Sequence, residues 1–596
     1  MIKERIENLR NILNEKEIFA YIIPSSDYHQ SEYVSDYFKS REFMSGFTGS
    51  AGTLIVTQDE AGLWVDGRYF IQAEEQIKGS NIKLFKMGEE NVPTIEEYLI
   101  DNMPKNSVLG FDGKVISANE GKSYLEKLGF KNINIEYDND LVNLLWKDRD
   151  ILPSEKAFSL DIKYCGESFS SKLNRLREEM KNKKATTHII TTLDDIAWLF
   201  NIRGNDVKYN PVVLSYAIIT LDNVYLFIDD KKLDENILNE LKKENVEIKS
   251  YNYIYEFVKE IKENEVVLLD PQKVNYSIYN NIPDNVQKID MHNPIRDFKC
   301  IKNKVEIENI KRSHIKDGVA ITKFMYWLKN NVGKIDISEI SATKKLEEFR
   351  REQDLFIEPS FSTIAGYREH AAMMHYSATE ETDYKLEPSD LFLVDSGGQY
   401  YDGTTDITRT FALGELSTEL KRHFTLVVRG MVRLSMAKFL YGCRGYNLDI
   451  LARGPIWNED LDYKCGTGHG IGFVLNVHES PNGFRWKVVP EREDSCILEE
   501  GMITTNEPGI YIEGSHGIRI ENELLTRKQK KNEYGQYMDF EVITLAPIDL
   551  DAIDPELMLE NEKEYLNRYH NLVYDKISPF LSEKEKQWLK KYTRAI

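Results

Sequence analysis

Five residues in the second half of the chain have the types and settings for metal chemistry: Asp395, Asp406, His469, Glu507 and Glu521. Asp395 ends the apolar run Leu391–Val394 and is followed by Ser-Gly-Gly, while Asp406 lies in DGTTDITRT before a second apolar run. A hairpin turning through Gly398, Asp402 and Gly403 would set the two aspartates side by side on neighbouring strands. Like charges so placed repel, and their pKa values rise unless a cation lies between them. The alternative is a pair of turn aspartates satisfying backbone N–H groups. That reading suits Asp402, before a glycine, better than Asp406, between Thr405 and Ile407.

His469 stands between two glycines in CGTGHGIGFVLNVHE, and His478 follows a strand-like run. Flanking glycines let a backbone come close to a ligand or ion; a plain turn histidine is the competing reading. GTGHGIG is not a dinucleotide fingerprint, because it lacks the GxGxxG arrangement and the following helix. Glu507 precedes Pro-Gly, and Glu521 falls inside an apolar strand pattern running from Ile518 to Leu525. A carboxylate there needs a partner. Alternation puts Arg519 on the opposite face and Glu523 on the same face, a costly pairing without a cation nearby. Two aspartates, two glutamates and one histidine are a mostly oxygen donor set. It suits manganese or cobalt, with zinc or iron as alternatives, better than a thiolate metal. Four carboxylates can neutralise two divalent cations, and two cations about 3.5–4 Å apart can activate water and polarise a carbonyl.

The elements that must position these groups follow from pattern. The chain has 596 residues, 41 % hydrophobic and 29 % charged, enough for several globular domains. Residues 1–155 alternate strand-like runs (Phe19–Ile23, Thr53–Val56, Leu63–Val65) with helical ones, after an amphipathic N-terminal helix with Ile2, Ile6, Leu9, Ile12 and Leu13 on one face. Residues 156–299 read the same way, with a helix near Lys172–Lys184 and strands at His188–Thr191, Tyr216–Ile219 and Val224–Ile228. GTLIVTQDEAGLWVDGRYF in the first part resembles SYAIITLDNVYLFIDDKKL in the second. This implies two domains of related α/β fold, against the alternative of two unrelated domains with similar hairpins. Residues 300–596 open with a long helix whose apolar face carries Val305, Ile307, Ile310, Val319, Ile321, Phe324 and Met325. A helix from about Thr418 to Phe439, glycine-punctuated strands and closing charged helices follow.

The net charge of −21 argues against nucleic-acid and anionic-membrane binding. Five scattered cysteines form no disulfide framework and no CxxC pair, which favours a reducing compartment. The start of the chain lacks the uninterrupted apolar core of a signal peptide. No stretch approaches the roughly 18 apolar residues of a membrane span. These features together give the expectation of a soluble cytoplasmic protein.

The order Asp395, Asp406, His469, Glu507, Glu521 resembles the five-ligand signature of the pita-bread metallopeptidases, which include methionine aminopeptidase, prolidase and aminopeptidase P. FLVDSGGQYYDGTTDITRTF, GTGHGIGFVLNVHE, EPGIYI and GIRIEN are similar to the long, three-domain aminopeptidase P type, the cytosolic Xaa-Pro aminopeptidases. YIIPSSDYHQSEY, SGFTGSAGT, VDGRYF and DDIAWLFNIRGNDVKYNPV extend that likeness over nearly the whole chain. The resemblance implies two creatinase-like N-terminal α/β domains before a pita-bread catalytic domain. It implies that the five residues bind two divalent metal ions, manganese first and cobalt or zinc as alternatives. It implies release of the N-terminal residue from short peptides with proline second, through a metal-bridging hydroxide, with Glu507 as proton acceptor. His478 matches a histidine that supports the tetrahedral intermediate, and His375, in MMHYS, matches one near the substrate. Arg68, in VDGRYF, matches a peptide-binding arginine, and His469 also faces substrate. A homodimer is implied by analogy with relatives. His370 and His516 have no clear match and read as ordinary surface or supporting histidines. Cys465 stands where close relatives often carry histidine, either as a small buried filler or as a change in substrate selectivity.

Three other readings compete. A prolidase would cleave only dipeptides, but the N-terminal repeat speaks against it. A non-catalytic pita-bread binding module would have lost ligands, and so would a creatinase-like enzyme working without metal.

Overall fold

The computed structural model describes residues 1–489 and 492–596. The two hairpins singled out by their likeness form Thr53–Thr57 with Ala61–Val65 and Ser215–Thr220 with Val224–Ile228. Each lies in a six-stranded sheet. The first runs Lys83–Lys86, Ala61–Val65, Thr53–Thr57, Ala20–Pro24, Val108–Phe111, Asn134–Glu136 from edge to edge. The second runs Val246–Lys249, Val224–Ile228, Ser215–Thr220, Thr187–Ile190, Val266–Leu269, Gln287–Asp290. The sense of pairing also agrees step by step: parallel, antiparallel, antiparallel, parallel, parallel. Two independent domains would have no reason to share six positions and five pairing senses, so the repeat is a repeat of fold.

Residues 1–161 and 167–296 form one compact unit, and residues 162–166 with 297–596 form the other. Within the first unit a buried polar network joins the two sheets' domains. His29 Nδ1 donates to the Thr191 carbonyl at 2.8 Å, and Tyr251 OH lies 2.6 Å from His29 Nε2. Asn275 Nδ2 donates to the Tyr28 carbonyl at 2.9 Å. The N-terminal helix spans Ile2–Glu15 and buries Ile6, Leu9 and Leu13, as its spacing requires.

The second unit opens with the helix Lys304–Asn331, started by a capping box between Asn303 and Glu306. Ile310, Val319, Ile321, Phe324, Met325 and Leu328 are buried, but Val305 is 39 % exposed and Ile307 only half-buried. The first turn instead buries Glu306 and Asn309, because Asn309 Nδ2 donates to the carbonyls of Lys163 and Tyr164, both at 3.0 Å. The helix predicted for Thr418–Phe439 spans Thr418–Ser435. A helix that the glycine-punctuated pattern concealed follows at Gly445–Trp457, with Pro455 inside it. A further helix covers Glu339–Arg351. Phe424, Val427, Val428, Met431 and Val432 pack against Ile518 and Ile520, and against Leu566, Val573 and Ile577 of the closing helix Glu560–Ile577. Among the described residues no helix is long and apolar enough to cross a membrane.

Two sheets of this unit carry the candidate residues. One places Leu391–Ser396 between Ile364–Tyr367 and Ile407–Ala412. The other runs Lys438–Leu440, Gly535–Val542, Asn522–Asn532, Ile503–Asn506, Gly468–Gly470, Glu479–Phe484. Buried Arg409 ties the first sheet to the chain beside the second. It donates to the carbonyls of Glu521 at 2.5 Å, Pro547 at 3.1 Å and Ala546 at 2.9 Å, and to Tyr569 OH at 2.9 Å. Arg409→Met keeps the apolar stem but takes this donor from the Glu521 and Pro547 carbonyls, while the Ala546 carbonyl keeps the Tyr569 hydroxyl. We expect a loss of about 2–4 kcal/mol, read as a lower urea midpoint, since each buried orphan costs about 1–3 kcal/mol.

Candidate metal centre

Antiparallel pairing sets Asp395 opposite Thr408 and Ser396 opposite Ile407. Asp406 is therefore diagonal to Asp395 on the same face, two residues from direct opposition, rather than beside it. The turn between them is a tight ladder, Gln399 opposite Thr404 and Tyr400 opposite Gly403, with Asp402 at its tip. Asp402 accepts from Lys316 Nζ at 2.5 Å and takes the turn role expected of it. Among the described residues no lysine or arginine side chain donates to Asp406. Its backbone N–H donates to Glu523 Oε1 at 2.8 Å, and its Oδ1 is buried without a hydrogen-bond partner.

The glycines around His469 serve neighbouring backbone. A Cβ on Gly468 would lie 1.9 Å from the Thr505 carbonyl oxygen, and one on Gly470 would lie 2.3 Å from that of Glu479. The sheet can close only with hydrogen at those positions. So held, His469 donates from its backbone N to Thr505 Oγ1 at 3.0 Å and from Nδ1 to the Gly470 carbonyl at 2.9 Å. With Nδ1 carrying the proton, Nε2 presents a lone pair. It lies 3.5 Å from Asp406 Oδ2 and 3.4 Å from Glu507 Oε1.

Glu507 follows the strand Ile503–Asn506, with its backbone N–H on the Thr467 carbonyl at 2.8 Å and Thr505 Oγ1 donating to its Oε1 at 3.2 Å. The segment before His469 is gripped from the concealed helix. Arg453 donates to Asp449 Oδ2 at 2.9 Å and to the carbonyls of Tyr463 and Cys465 at 2.8 and 3.1 Å.

Glu521 lies at the break between the strands His516–Arg519 and Asn522–Asn532, not within one strand. Its N–H donates to the Thr408 carbonyl at 3.1 Å, its Oε2 accepts from Thr408 Oγ1 at 2.8 Å, and its Oε1 is buried without a partner. The break changes the alternation. Glu523 turns behind the site, where its Oε1 takes the Asp406 N–H and lies 3.0 Å from His314 Nε2. Burial pulls the His314 imidazole down, but the Glu523 charge outweighs it and the net shift is upward. Arg519 does not partner Glu521. It donates to Asp395 Oδ2 at 2.6 Å, Tyr511 OH at 2.7 Å and Thr408 Oγ1 at 3.1 Å.

Ligand atoms of Asp406, His469 and Glu521 all lie within 4.8 Å of one another. Burial first, then the charges of Asp395, Glu507 and Glu523, push the Asp406 carboxyl well above its ordinary range. Burial, then Asp406, Glu507 and Asp395, do the same to Glu521. Asp395 Oδ1 is a third buried oxygen with no donor. Orphaned buried oxygens on three mutually repelling carboxylates, with an imidazole lone pair among them, fit hard or borderline divalent cations.

The His478 ring meets the His469 ring edge-on, with centroids 4.3 Å apart. His375 sits partly exposed on a turn, next to Met374, whose carbonyl accepts from Arg519 Nη2 at 3.4 Å. Arg68 belongs to the N-terminal unit. It pairs with Asp66 through two hydrogen bonds, Nε to Oδ1 at 2.9 Å and Nη2 to Oδ2 at 2.7 Å. Cys465 packs against the main core, and burial, then the Glu507 charge, push its thiol up to about 11. A thiol so placed stays protonated at neutral pH, as a packing residue would. His370 and His516 are not surface residues, being 8 % and 3 % exposed. His516 Nε2 lies 2.9 Å from His423 Nδ1, and His370 is held by Glu339.

His314 and Glu339 escaped the sequence reading, and Arg519 and Glu523 entered it only through their faces relative to Glu521. A buried-looking charge beside a proposed ligand was the one signal available, and alternation across the break at Glu521 misdirected it.

Comparison with known proteins identifies the family. Residues 308–528 match metallopeptidase family M24, and residues 536–596 match its C-terminal region. Residues 5–140 and 148–306 each match a creatinase/prolidase N-terminal domain. A probable Xaa-Pro aminopeptidase P of Laccaria bicolor is 39 % identical, covering 99 % of this chain and 92 % of that protein. One from Paracoccidioides brasiliensis is 38 % identical over 100 % and 99 %. The crystal structure of the Caenorhabditis elegans X-prolyl aminopeptidase, described as a cytosolic enzyme with a di-nuclear active site, superposes with a TM-score of 0.95 at 34 % identity and covers 100 % of both chains. A Bacillus anthracis Xaa-Pro dipeptidase reaches a TM-score of 0.50 at 25 % identity, covering 64 % of this chain and 99 % of its own. The chain belongs to metallopeptidase family M24, in the branch of the Xaa-Pro aminopeptidase P proteins.

Proposed function

We propose that this chain is an aminopeptidase that removes the first residue from short peptides with proline second. Asp395, Asp406, His469, Glu507 and Glu521 hold two divalent cations, manganese by the chemistry of the donor set. The observation that carries this is the convergence of Asp406, His469 and Glu521, with buried carboxylate oxygens lacking any donor, in a chain aligned end to end with Xaa-Pro aminopeptidases. The dipeptidase alternative is weaker, because the Bacillus anthracis structure leaves a third of this chain unmatched. The cytosol is the compartment described for the Caenorhabditis elegans enzyme, and we take it for this chain.

When bound, the cations supply Lewis-acid polarisation of the scissile carbonyl and acidify water. Glu507 accepts the proton of the attacking water, its Oε1 held in place by Thr505 Oγ1. His478 and His375 donate hydrogen bonds to substrate as charge develops on the carbonyl oxygen. Arg519 holds Asp395 through Oδ2 and leaves Oδ1 for the cation. An Xaa–Pro bond has no N–H for a protease that reads an extended strand, so recognition must fall on the proline ring and the free amino terminus. Arg68, with its guanidinium oriented by Asp66, is carried as a peptide-binding residue by its match to VDGRYF.

The manganese-loaded protein should release arginine from Arg-Pro-Pro; cleavage of dipeptides alone would sink the proposal. Elemental analysis should find two cations per chain, and Asp406→Ala or Glu521→Ala should abolish turnover and lose at least one. His478→Ala should keep both metals and lower kcat about 10²–10³-fold, the scale of one lost oxyanion donor.

A pH dependence follows from the raised carboxyls. A group with a raised folded pKa stabilises the fold below its unfolded pKa and loses that contribution as pH rises through the folded value. The metal-stripped protein should therefore melt at falling temperature as pH climbs above about 4. Adding Mn²⁺ should restore more of the melting temperature at higher pH, and Asp406→Asn should flatten the metal-free slope. A metal-free melting temperature independent of pH would contradict the burial and repulsion found at Asp406 and Glu521.

A further inference from the structure

The strand Ile364–Tyr367 leads into a short 3₁₀ helix, Arg368–Ala372, and then into an irregular stretch that carries His375. Irregular backbone beside an active centre must be held by something other than a sheet ladder. One buried side chain grips both ends of this stretch. Glu339, at the start of the helix Glu339–Arg351, is 0 % exposed. On the upstream side its Oε1 accepts from the Tyr367 backbone N–H at 2.8 Å and from His370 Nδ1 at 2.9 Å. On the downstream side its Oε2 accepts from the Tyr384 N–H at 3.0 Å and from Tyr376 OH at 3.3 Å. Its own backbone N–H returns to the Tyr384 carbonyl at 3.1 Å.

His370 completes the grip. Its ring stacks on Tyr384 with centroids 3.7 Å apart and leans on Tyr376 at 4.4 Å. Between the two grips, at His370 and Tyr376, lie only the five residues Ala371, Ala372, Met373, Met374 and His375. The middle of that span is pinned to the metal centre by Arg519 Nη2, shared between the Met374 carbonyl and Asp395 Oδ2. Gly517 lets the stretch lie close, since a Cβ there would sit 1.7 Å from the Ala371 carbonyl oxygen.

We propose that Glu339 is a positioning residue for His375, with His370 and Tyr376 as its intermediaries. This rests on the reading of His375 as a substrate-facing group. A carboxylate suits the task, because four donors from two separated segments converge on two oxygens. Gln offers one acceptor oxygen and turns the other into a donor.

The test is a double-mutant cycle on the full-length, manganese-loaded protein with Arg-Pro-Pro as substrate. Glu339→Gln should lower kcat/KM about 10–100-fold, the usual scale for a group that orients a metal-site residue, with bound metal unchanged. In a His375→Ala background the same substitution should cost nothing further. Tyr376→Phe removes one of the four donors to Glu339, together with the Tyr376 hydroxyl's contacts to Thr382, and should show the same non-additivity at smaller size, so it carries the test if Glu339→Gln fails to fold. An equal loss in both backgrounds would overturn the proposal, as would full activity of Glu339→Gln. A His375→Ala protein with undiminished turnover would remove the reading of His375, and the Glu339 proposal with it. Reduced turnover there with additive loss from Glu339→Gln would remove the Glu339 proposal alone.

Discussion

The constraint on which the catalytic unit turns is electrostatic. Asp395, Asp406 and Glu521 are buried together, and burial with the charges around them, Asp395 and Glu507 included, pushes Asp406 and Glu521 well above their ordinary range. Ionised and alone, such a cluster opposes folding. It persists because three kinds of support surround it. Backbone amides and hydroxyls satisfy one side of the carboxyls, as Thr408 does for Glu521. Arg519 balances part of the charge at Asp395. Oxygens of Asp406 and Glu521 remain beside the imidazole lone pair of His469, where cations fit.

Three buried guanidinium groups brace the frame, each in a different way. Arg519 acts by charge on a carboxylate of the site. Arg409 acts on carbonyls, joining the strand Ile407–Ala412 to the Glu521 backbone and to the closing helix through Tyr569. Arg453 acts on the segment before His469 through the Tyr463 and Cys465 carbonyls. A planar group with five donors can meet several irregular backbone segments at once, which a point charge such as lysine cannot do. The glycines work in the complementary way. Gly468, Gly470 and Gly517 clear room for carbonyls that no side chain could pass, so the strands bearing the site can approach closely.

The N-terminal unit shows a second economy, one sheet topology used twice. The recurrence is visible in the hairpins because adjacent antiparallel strands keep their polar turn and apolar alternation together in sequence. The network of His29, Tyr251, Thr191, Tyr28 and Asn275 joins residues far apart along the chain, and no local pattern announces it.

Residue type and spacing alone were enough to nominate Asp395, Asp406, His469, Glu507 and Glu521, because acidic residues and a glycine-flanked histidine inside apolar runs have few structural uses. The same local logic located the long helix Lys304–Asn331 and the repeated hairpins, since periodicity is a property of neighbours. Tertiary structure decided the rest. A two-residue break, not alternation, sent Glu521 into the site and Glu523 behind Asp406 against His314. Register made the two aspartates diagonal. Pro455 and flanking glycines hid a helix that packing nonetheless maintains. Arg519 found Asp395, and Glu339 found His370, across separations at which sequence carries no distance information. Which charge pairs with which is settled only when distant segments are brought together out of water, where an unpaired charge is too costly to remain.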